Sequence, residues 1–165
     1  MLFRSYCWRV EDAGEISDRT FKSADHWAYP YLTDIVKQPW DYNASPSYVE
    51  VSFSHVCNFK CSYCAPHISS QWMEEIERFG PYPTSQKFND INWLKSGNQM
   101  PIPNNQENPY VEAFWRWWPD MYKELKTFRI TGGEPLLSKN TFKVLDYIID
   151  NPNPELNFSV NTNLN

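Results

Sequence analysis

Three short stretches of the chain alternate apolar and polar residues, which is the pattern of a β-strand with one buried face. The stretches cover residues 48–54, 126–131 and 156–161. The alternating apolar positions are Val49, Val51 and Phe53, then Phe128 and Ile130, and finally Leu156, Phe158 and Val160. The sequence therefore predicts three strands that lie far apart along the chain.

Apolar residues recur at helical spacing between these strands. Ser69 or Ser70 is a suitable N-cap for a helix that would end at Gly80-Pro81. Two further helices are expected over residues 110–125, where Pro119 either kinks the helix or starts its second half, and over 138–150. The expected apolar faces are Trp72, Ile76 and Phe79; Phe114, Trp118, Met121 and Leu125; and Phe142, Leu145 and Ile149.

The order of these elements predicts an α/β fold. Helices that connect successive strands imply a parallel sheet with right-handed crossovers. Three parallel strands with two faces to cover make a small domain, because parallel sheets are normally buried on both sides. We therefore expect the first three strands of a partial (β/α) barrel, with their crossover helices.

Two segments of the chain differ from this repeating pattern. Residues 1–47 mix charged and aromatic residues without a sustained period, which predicts an irregular, aromatic-rich N-terminal extension before a core over 48–165. Residues 81–109 are rich in proline and asparagine, which predicts an inserted loop within that core. Loops of this length are often functional or mobile.

Composition and charge narrow the functional classes. The chain has 165 residues, of which 41% are hydrophobic and 17% aromatic, as expected for a globular domain. Its net charge of -5 argues against general nucleic-acid binding, which needs clustered cations. The sequence shows neither an apolar leader after Met1 nor a run of roughly 18 apolar residues, so we expect a cytoplasmic protein without a membrane partner.

Three of the four cysteines lie within eight residues, as Cys57, Cys61 and Cys64. Three thiols are the wrong number for paired disulfides and for a four-ligand structural zinc site. An iron-sulfur cube that is held by three thiolates keeps one iron open to a substrate or cofactor. The alternatives are three incidental buried thiols, or a zinc site that His55 or His67 completes. The ligand count favours the cluster.

Two further motifs follow the second and third predicted strands. The first is Gly132-Gly133-Glu134-Pro135, which alone is typical of a turn. The second is Asn161-Thr162-Asn163, whose polarity alone is typical of a loop. Ligands bind beyond the carboxyl ends of the strands in parallel α/β sheets, because the loops after the strands converge there. The cysteines and both motifs are expected at that edge.

The cysteine spacing C-x3-C-x2-C with an aromatic residue, Tyr63, before the last cysteine, followed later by Gly-Gly-Glu-Pro, resembles the radical S-adenosylmethionine (SAM) superfamily. The resemblance covers residues 48–165. Residues 66–72 and 130–137 look like the branch that carries SPASM or twitch extensions.

The resemblance implies two cofactors, a 4Fe-4S cluster and SAM. Cys57, Cys61 and Cys64 would hold three irons, and the amino and carboxylate groups of SAM would chelate the fourth. Reductive cleavage of SAM would give methionine and a 5'-deoxyadenosyl radical that abstracts hydrogen from a substrate. The substrate would be a peptide, a protein or a small molecule, and a flavodoxin or ferredoxin would donate the electron. The remaining implied cofactor-binding residues are Tyr63, Gly132, Gly133, Glu134, Asn161 and Asn163.

The chain also departs from that family's pattern. About six strand-helix units are expected of a complete core and three are visible, so we expect a fragment. Only Cys7 lies outside the triplet, which leaves no thiols for auxiliary clusters. Two alternatives to the enzyme therefore stay open: a non-catalytic iron-sulfur-binding or scaffold remnant, and a zinc-binding interaction module.

Overall fold

The computed structural model describes residues 5–25, 27–85 and 87–164. The predicted segments 1–47, 81–109 and 48–165 include residues 1–4, 26, 86 and 165, which lie outside the described residues. The elements in chain order are α1 (Ser5–Asp12), α2 (Asp18–Ser23), α3 (Tyr29–Ile35), β1 (Tyr48–Ser52), α4 (Ser70–Phe79), α5 (Ile91–Ser96), α6 (Pro109–Met121), β2 (Thr127–Thr131), α7 (Lys139–Asp150) and β3 (Asn157–Val160). Short 3-10 turns cover Pro66–Ile68 and Pro135–Leu137.

The three strands form one parallel sheet in the order β1-β2-β3, which confirms the α/β prediction. The register places Val51 beside Ile130, and Ile130 beside Val160. Helices α4 to α6 connect β1 to β2, and α7 connects β2 to β3, as parallel pairing requires. Three strands in one sheet are compatible with part of a (β/α) barrel, and closure into a barrel stays a prediction.

The apolar face of the sheet packs against α6 and α7. Trp118 of α6 is fully buried, and its ring centroid lies 4.7 Å from that of Phe128. Val144 of α7 belongs to the same buried cluster. The predicted apolar face is confirmed on α6, where Trp118 and Met121 are buried and Phe114 packs against them. Leu125 is also buried, but it lies beyond the end of α6 at Met121. This core fixes the positions at which the strands end.

The opposite face of the sheet is polar. Glu50 of β1 accepts a hydrogen bond from Thr131 Oγ1 at 3.1 Å and lies 3.7 Å from the Arg129 guanidinium. Tyr48 donates its hydroxyl proton to the Glu50 carboxylate at 2.8 Å. Parallel sheets are usually apolar on both faces, so a polar face indicates a surface that adjoins water or ligand.

Three expectations about local structure are wrong. The N-terminal segment contains three short helices, α1 to α3, and Pro30 lies in the first turn of α3, where proline is tolerated. The predicted insertion contains α5, which buries Leu94 completely. Helix α7 buries Thr141 and Val144, while Phe142 and Ile149 are 49% and 72% exposed.

No helix among the described residues is long and apolar enough to span a membrane.

Candidate functional site

The cysteine loop follows β1, and the start of α4 holds its backbone. Cys57 is 8% exposed, and Cys61 and Cys64 are half-buried. Ser70 accepts a hydrogen bond from the Cys57 N–H and donates one to the Cys57 carbonyl, both at 3.1 Å. The backbone around the first cysteine is therefore fixed by a single hydroxyl of α4.

The N-cap of α4 and two of its side chains hold the loop beyond Cys57. The buried Ser69 hydroxyl donates to the Phe59 carbonyl at 3.0 Å, and the same oxygen caps α4 by accepting from the Trp72 N–H. Trp72 Nε1 donates to the Cys61 carbonyl at 2.9 Å. Lys60 forms an ion pair with Glu75 on the same helix. The N-cap predicted at Ser69 is confirmed, and it also anchors the cysteine loop.

The three thiols lie within electrostatic reach of one another. Burial first, and then the charges of Cys61 and Cys57, raise the pKa of the Cys64 thiol. A hydrogen bond with the Cys61 thiol, followed by the charges of Cys61 and Cys64, raises the pKa of Tyr63. The Tyr63 side chain is 87% exposed beside the loop. The loop therefore brings together the predicted ligands and the predicted aromatic residue.

The described residues contain no group of three histidine, cysteine or acidic side chains arranged to hold a metal ion. Cys57, Cys61 and Cys64 supply three thiols from one anchored loop, as a cluster that keeps one iron open requires. The residues present therefore fit the implied group by donor type and number.

The Gly-Gly-Glu segment after β2 packs directly on the segment that follows β1. The Gly133 N–H donates to the Ser54 carbonyl at 3.1 Å, and the Glu134 N–H donates to the Val56 carbonyl at 2.7 Å. A Cβ atom at Gly132, whose φ is +96°, would lie 1.9 Å from Ser52 Oγ. A Cβ atom at Gly133 would lie 2.2 Å from the Val56 carbonyl oxygen. Both glycines are therefore required by contact between two loops, beyond any approach to a ligand.

The Glu134 side chain is 2% exposed and accepts three hydrogen bonds. Its Oε1 accepts from the Leu136 N–H at 2.9 Å and from Thr162 Oγ1 at 2.6 Å, and its Oε2 accepts from the Asn163 N–H at 2.8 Å. Burial alone would raise the pKa of this carboxyl group, but the hydrogen bonds outweigh burial and lower it. The carboxylate therefore joins the loop after β2 to the loop after β3.

The loop after β3 reaches the cysteine loop through Asn163, whose side-chain amide donates to Asn58 Oδ1 at 2.9 Å. Asn161 is exposed, and its N–H donates to the Ile130 carbonyl at 2.9 Å. The structure thus brings together the loops that carry all the predicted site residues, and their binding roles stay predictions. The sequence did not predict the contact between Asn58 and Asn163, because no motif or periodic pattern marks Asn58.

His55 and His67 border small cavities beside the cysteine loop. Both line a cavity of about 240 Å³, and His55 also lines one of about 490 Å³. Residues 100–105 of the predicted insertion line part of both cavities, and Met73 and Glu77 of α4 complete the larger one. Burial lowers the pKa of both histidines, which favours their neutral imidazoles. The insertion therefore lies next to the candidate site.

Another cavity, of about 760 Å³, lies at the opposite edge of the sheet. Its walls come from α3, the segment before β1, and the segment between α6 and β2, including Tyr48 and Lys126 at the strand starts. The carboxyl ends of the strands, where ligands bind in such sheets, lie at the other edge. We therefore centre the candidate site on the cysteine loop.

Comparison with known proteins gives one distant relative. A stretch of 122 residues, 74% of this chain, is 24% identical to a GTP 3',8-cyclase from Sulfurimonas denitrificans. The match spans 29% of the length of that cyclase, so the chain corresponds to less than a third of it. No protein-family model matches the chain, and no solved structure matches it.

Proposed function

We propose that this chain is the N-terminal part of the core of a radical SAM enzyme. The observation that carries the proposal is the anchored loop with three thiols at the carboxyl edge of a parallel sheet, in hydrogen-bond contact with the Gly-Gly-Glu and Asn-Thr-Asn loops. The distant similarity to a cyclase supports the same superfamily. The protein would act in the cytoplasm, with the sheet continuing into a (β/α) barrel.

Each part of the site has a role in this proposal. Cys57, Cys61 and Cys64 would hold the 4Fe-4S cluster, and Ser70 keeps the first of them in place. When bound, the reduced cluster supplies the electron that cleaves SAM into methionine and the 5'-deoxyadenosyl radical, which abstracts hydrogen from the substrate. Gly132 and Gly133 bring their backbone close to the cysteine loop, where their carbonyls would accept hydrogen bonds from the SAM ammonium.

The exposed residues around the loop would contact the cofactor and the electron donor. Tyr63 stands in solvent beside Cys61, where its ring would border SAM. Asn161 offers an exposed amide group from the loop after β3, whereas the half-buried Asn163 of the same loop binds Asn58 through its amide. A flavodoxin or ferredoxin would supply the electron. Residues 66–72, which place Ser69, Ser70 and Trp72 against the cysteine loop, support assignment to the SPASM or twitch branch.

The substrate would be a peptide, a protein or a small molecule, selected in part by the insertion. Its residues 100–105 line the cavities next to His55, whereas the N-terminal segment lines the cavity at the far edge. Exchange of 100–105 for a Gly-Ser linker should therefore reduce substrate turnover and leave SAM cleavage intact. Unchanged turnover in that variant would exclude the insertion from substrate selection.

The test of the proposal is anaerobic reconstitution with iron and sulfide. The longest natural polypeptide that contains this chain should then show a paramagnetic cluster signal that SAM perturbs, and dithionite should release 5'-deoxyadenosine. Cys57→Ser, Cys61→Ser and Cys64→Ser should each abolish that release, while Cys7→Ser, outside the triplet, should not. A cluster that SAM leaves unperturbed would indicate a non-catalytic remnant, and stoichiometric zinc without iron would indicate an interaction module.

A further inference from the structure

The buried carboxylate of Glu134 has little capacity left for a ligand. Its Oε1 already accepts two hydrogen bonds, from the Leu136 N–H and Thr162 Oγ1, and its Oε2 accepts one from the Asn163 N–H. Each carboxylate oxygen offers about two lone-pair positions. With 2% of its surface exposed, the side chain is saturated on one oxygen and shielded on the other. Its position is that of an internal anchor.

Asn163 extends this anchor into the cysteine loop. Its backbone N–H is bound to Glu134, and its side-chain amide donates to Asn58 Oδ1 at 2.9 Å. Asn58 directly follows Cys57, and the two asparagines are 105 positions apart. One continuous set of hydrogen bonds therefore joins the loops that follow all three strands.

The loop after β2 is also joined to the cysteine loop through its backbone. The Glu134 N–H donates to the Val56 carbonyl at 2.7 Å, one residue before Cys57. Glu134 thus meets the cysteine loop twice, directly through its backbone and indirectly through Asn163 and Asn58. A residue with both connections can fix the cysteine loop relative to the loop after β3.

We propose that Glu134 is a positioning residue that acts through Asn163 and Asn58 to hold the Cys57 loop in place, and that its carboxylate does not bind SAM. The consequence for cluster binding rests on the proposed radical SAM function. The positioning of the Cys57 loop does not depend on a cofactor, so it is tested first in the metal-free chain.

The first experiment measures alkylation of Cys57 by iodoacetamide in the metal-free native chain, with quantification by peptide mass spectrometry. Loss of the Asn58–Asn163 hydrogen bond should favour local opening of the loop and speed alkylation roughly fivefold, the effect of a hydrogen bond of ordinary net strength. Asn163→Ala and Asn58→Ala should each produce this increase. The double variant should be alkylated at Cys57 no faster than either single variant. Asn58→Asp, which keeps the acceptor oxygen, should restore the wild-type rate.

Two internal controls separate positioning from general destabilisation. Asn161→Ala lies in the same loop, and its side chain is exposed, so it should leave the rate at Cys57 unchanged. Cys7 in α1 lies outside the network and reports the reactivity of a thiol remote from it in the same sample. Equal acceleration at Cys7 and Cys57, additive effects in the double variant, or an unchanged Cys57 rate would each overturn the proposal.

Glu134→Gln extends the test to the carboxylate. The amide NH₂ of glutamine cannot accept the hydrogen bonds that one carboxylate oxygen accepts, so Cys57 should react faster than in Asn163→Ala. If this variant does not fold, the asparagine variants still decide the question.

The second experiment uses the reconstituted protein. Asn163→Ala should still bind iron, because all three thiols are present, but SAM should perturb its cluster signal less than in the wild type. Failure of the wild type to bind iron would reject the proposed function. The alkylation experiment would still test the positioning role of Glu134, because it uses the metal-free chain. If SAM perturbs the cluster signal of Asn163→Ala as much as that of the wild type, the hydrogen-bond network has no effect on SAM binding and this part of the proposal is wrong.

Discussion

A single hydroxyl, that of Ser70, satisfies both backbone groups of Cys57. Ser70 Oγ accepts from the Cys57 N–H and donates to the Cys57 carbonyl, each at 3.1 Å. The serine lies in the first turn of α4 and the cysteine in the loop after β1, so this contact ties the candidate cluster site to a helix. Because Cys57 is buried, water cannot easily replace either hydrogen bond.

Ser70→Ala should lower the free energy of unfolding by about 1–3 kcal/mol, because it leaves two buried backbone groups without partners. Urea unfolding followed by circular dichroism measures this loss. Ser62→Ala is the matched control, since Ser62 lies in the same loop and is exposed. It should cost less than about 0.5 kcal/mol, as surface substitutions usually do. Equal losses for the two variants would contradict the anchoring role of Ser70.

Gly132→Ala and Gly133→Ala should each destabilise the chain by about 2–3 kcal/mol, because the added methyl group would overlap neighbouring atoms. The overlaps are with Ser52 Oγ at 1.9 Å and with the Val56 carbonyl oxygen at 2.2 Å. Gly14→Ala separates this effect from backbone strain. Gly14 has a positive φ of +81° and no atom within 4 Å of a Cβ, so its substitution should cost only about 1 kcal/mol. Thermal unfolding of the three variants checks the order.

The stability that Glu134 contributes should be lost in acid. Its folded pKa is lowered, so the contribution is fully present above the unfolded value of about 4.3 and disappears as the pH falls through the folded pKa. Glu134→Gln should therefore be markedly less stable than the wild type at neutral pH, and the difference should shrink towards pH 3. Urea unfolding over this pH range measures it. A difference that is independent of pH would contradict the lowered pKa.

Trp118→Phe should cost much less stability than the burial of this side chain suggests. Trp118 is fully buried, and its Nε1 has no hydrogen-bond partner in the described part of the chain. Phenylalanine removes that unpaired N–H, which offsets part of the lost packing, so the loss should be about 1–2 kcal/mol. Trp118→Ala should cost about 3–5 kcal/mol. Trp40, which is 97% exposed, provides a control whose replacement by alanine should change stability little.

The sequence predicted the strands well because their pattern is strong. Val49, Val51 and Phe53 alternate with polar residues, and the structure places these apolar residues in or against the core. The order of strands and helices predicted a parallel sheet. It therefore also predicted that the cysteine, glycine and asparagine loops lie together at the carboxyl ends of the strands. The serine N-cap before α4 was also predictable, since cap chemistry is local.

Features that depend on tertiary contacts were not predictable. The N-terminal helices have six to eight residues, too few to show a helical period. On α7 the core accepts Thr141 and Val144 instead of the larger Phe142, because position on the helix decides burial more than hydrophobicity does. Thr141 is accommodated by a 2.7 Å hydrogen bond to the Pro135 carbonyl. The hydrogen bond between Asn58 and Asn163 joins residues 105 positions apart, and no sequence pattern around either residue predicts it.

The shared carboxylate of Glu134 also limits how the chain can vary. Because its acceptors serve donors from Thr162 and Asn163, a change at any of these positions alters what the others can tolerate. Substitutions here should be strongly epistatic, and a mutational library that varies one position at a time would underestimate the sequences compatible with the site. Combinatorial libraries should vary Asn58, Glu134, Thr162 and Asn163 together.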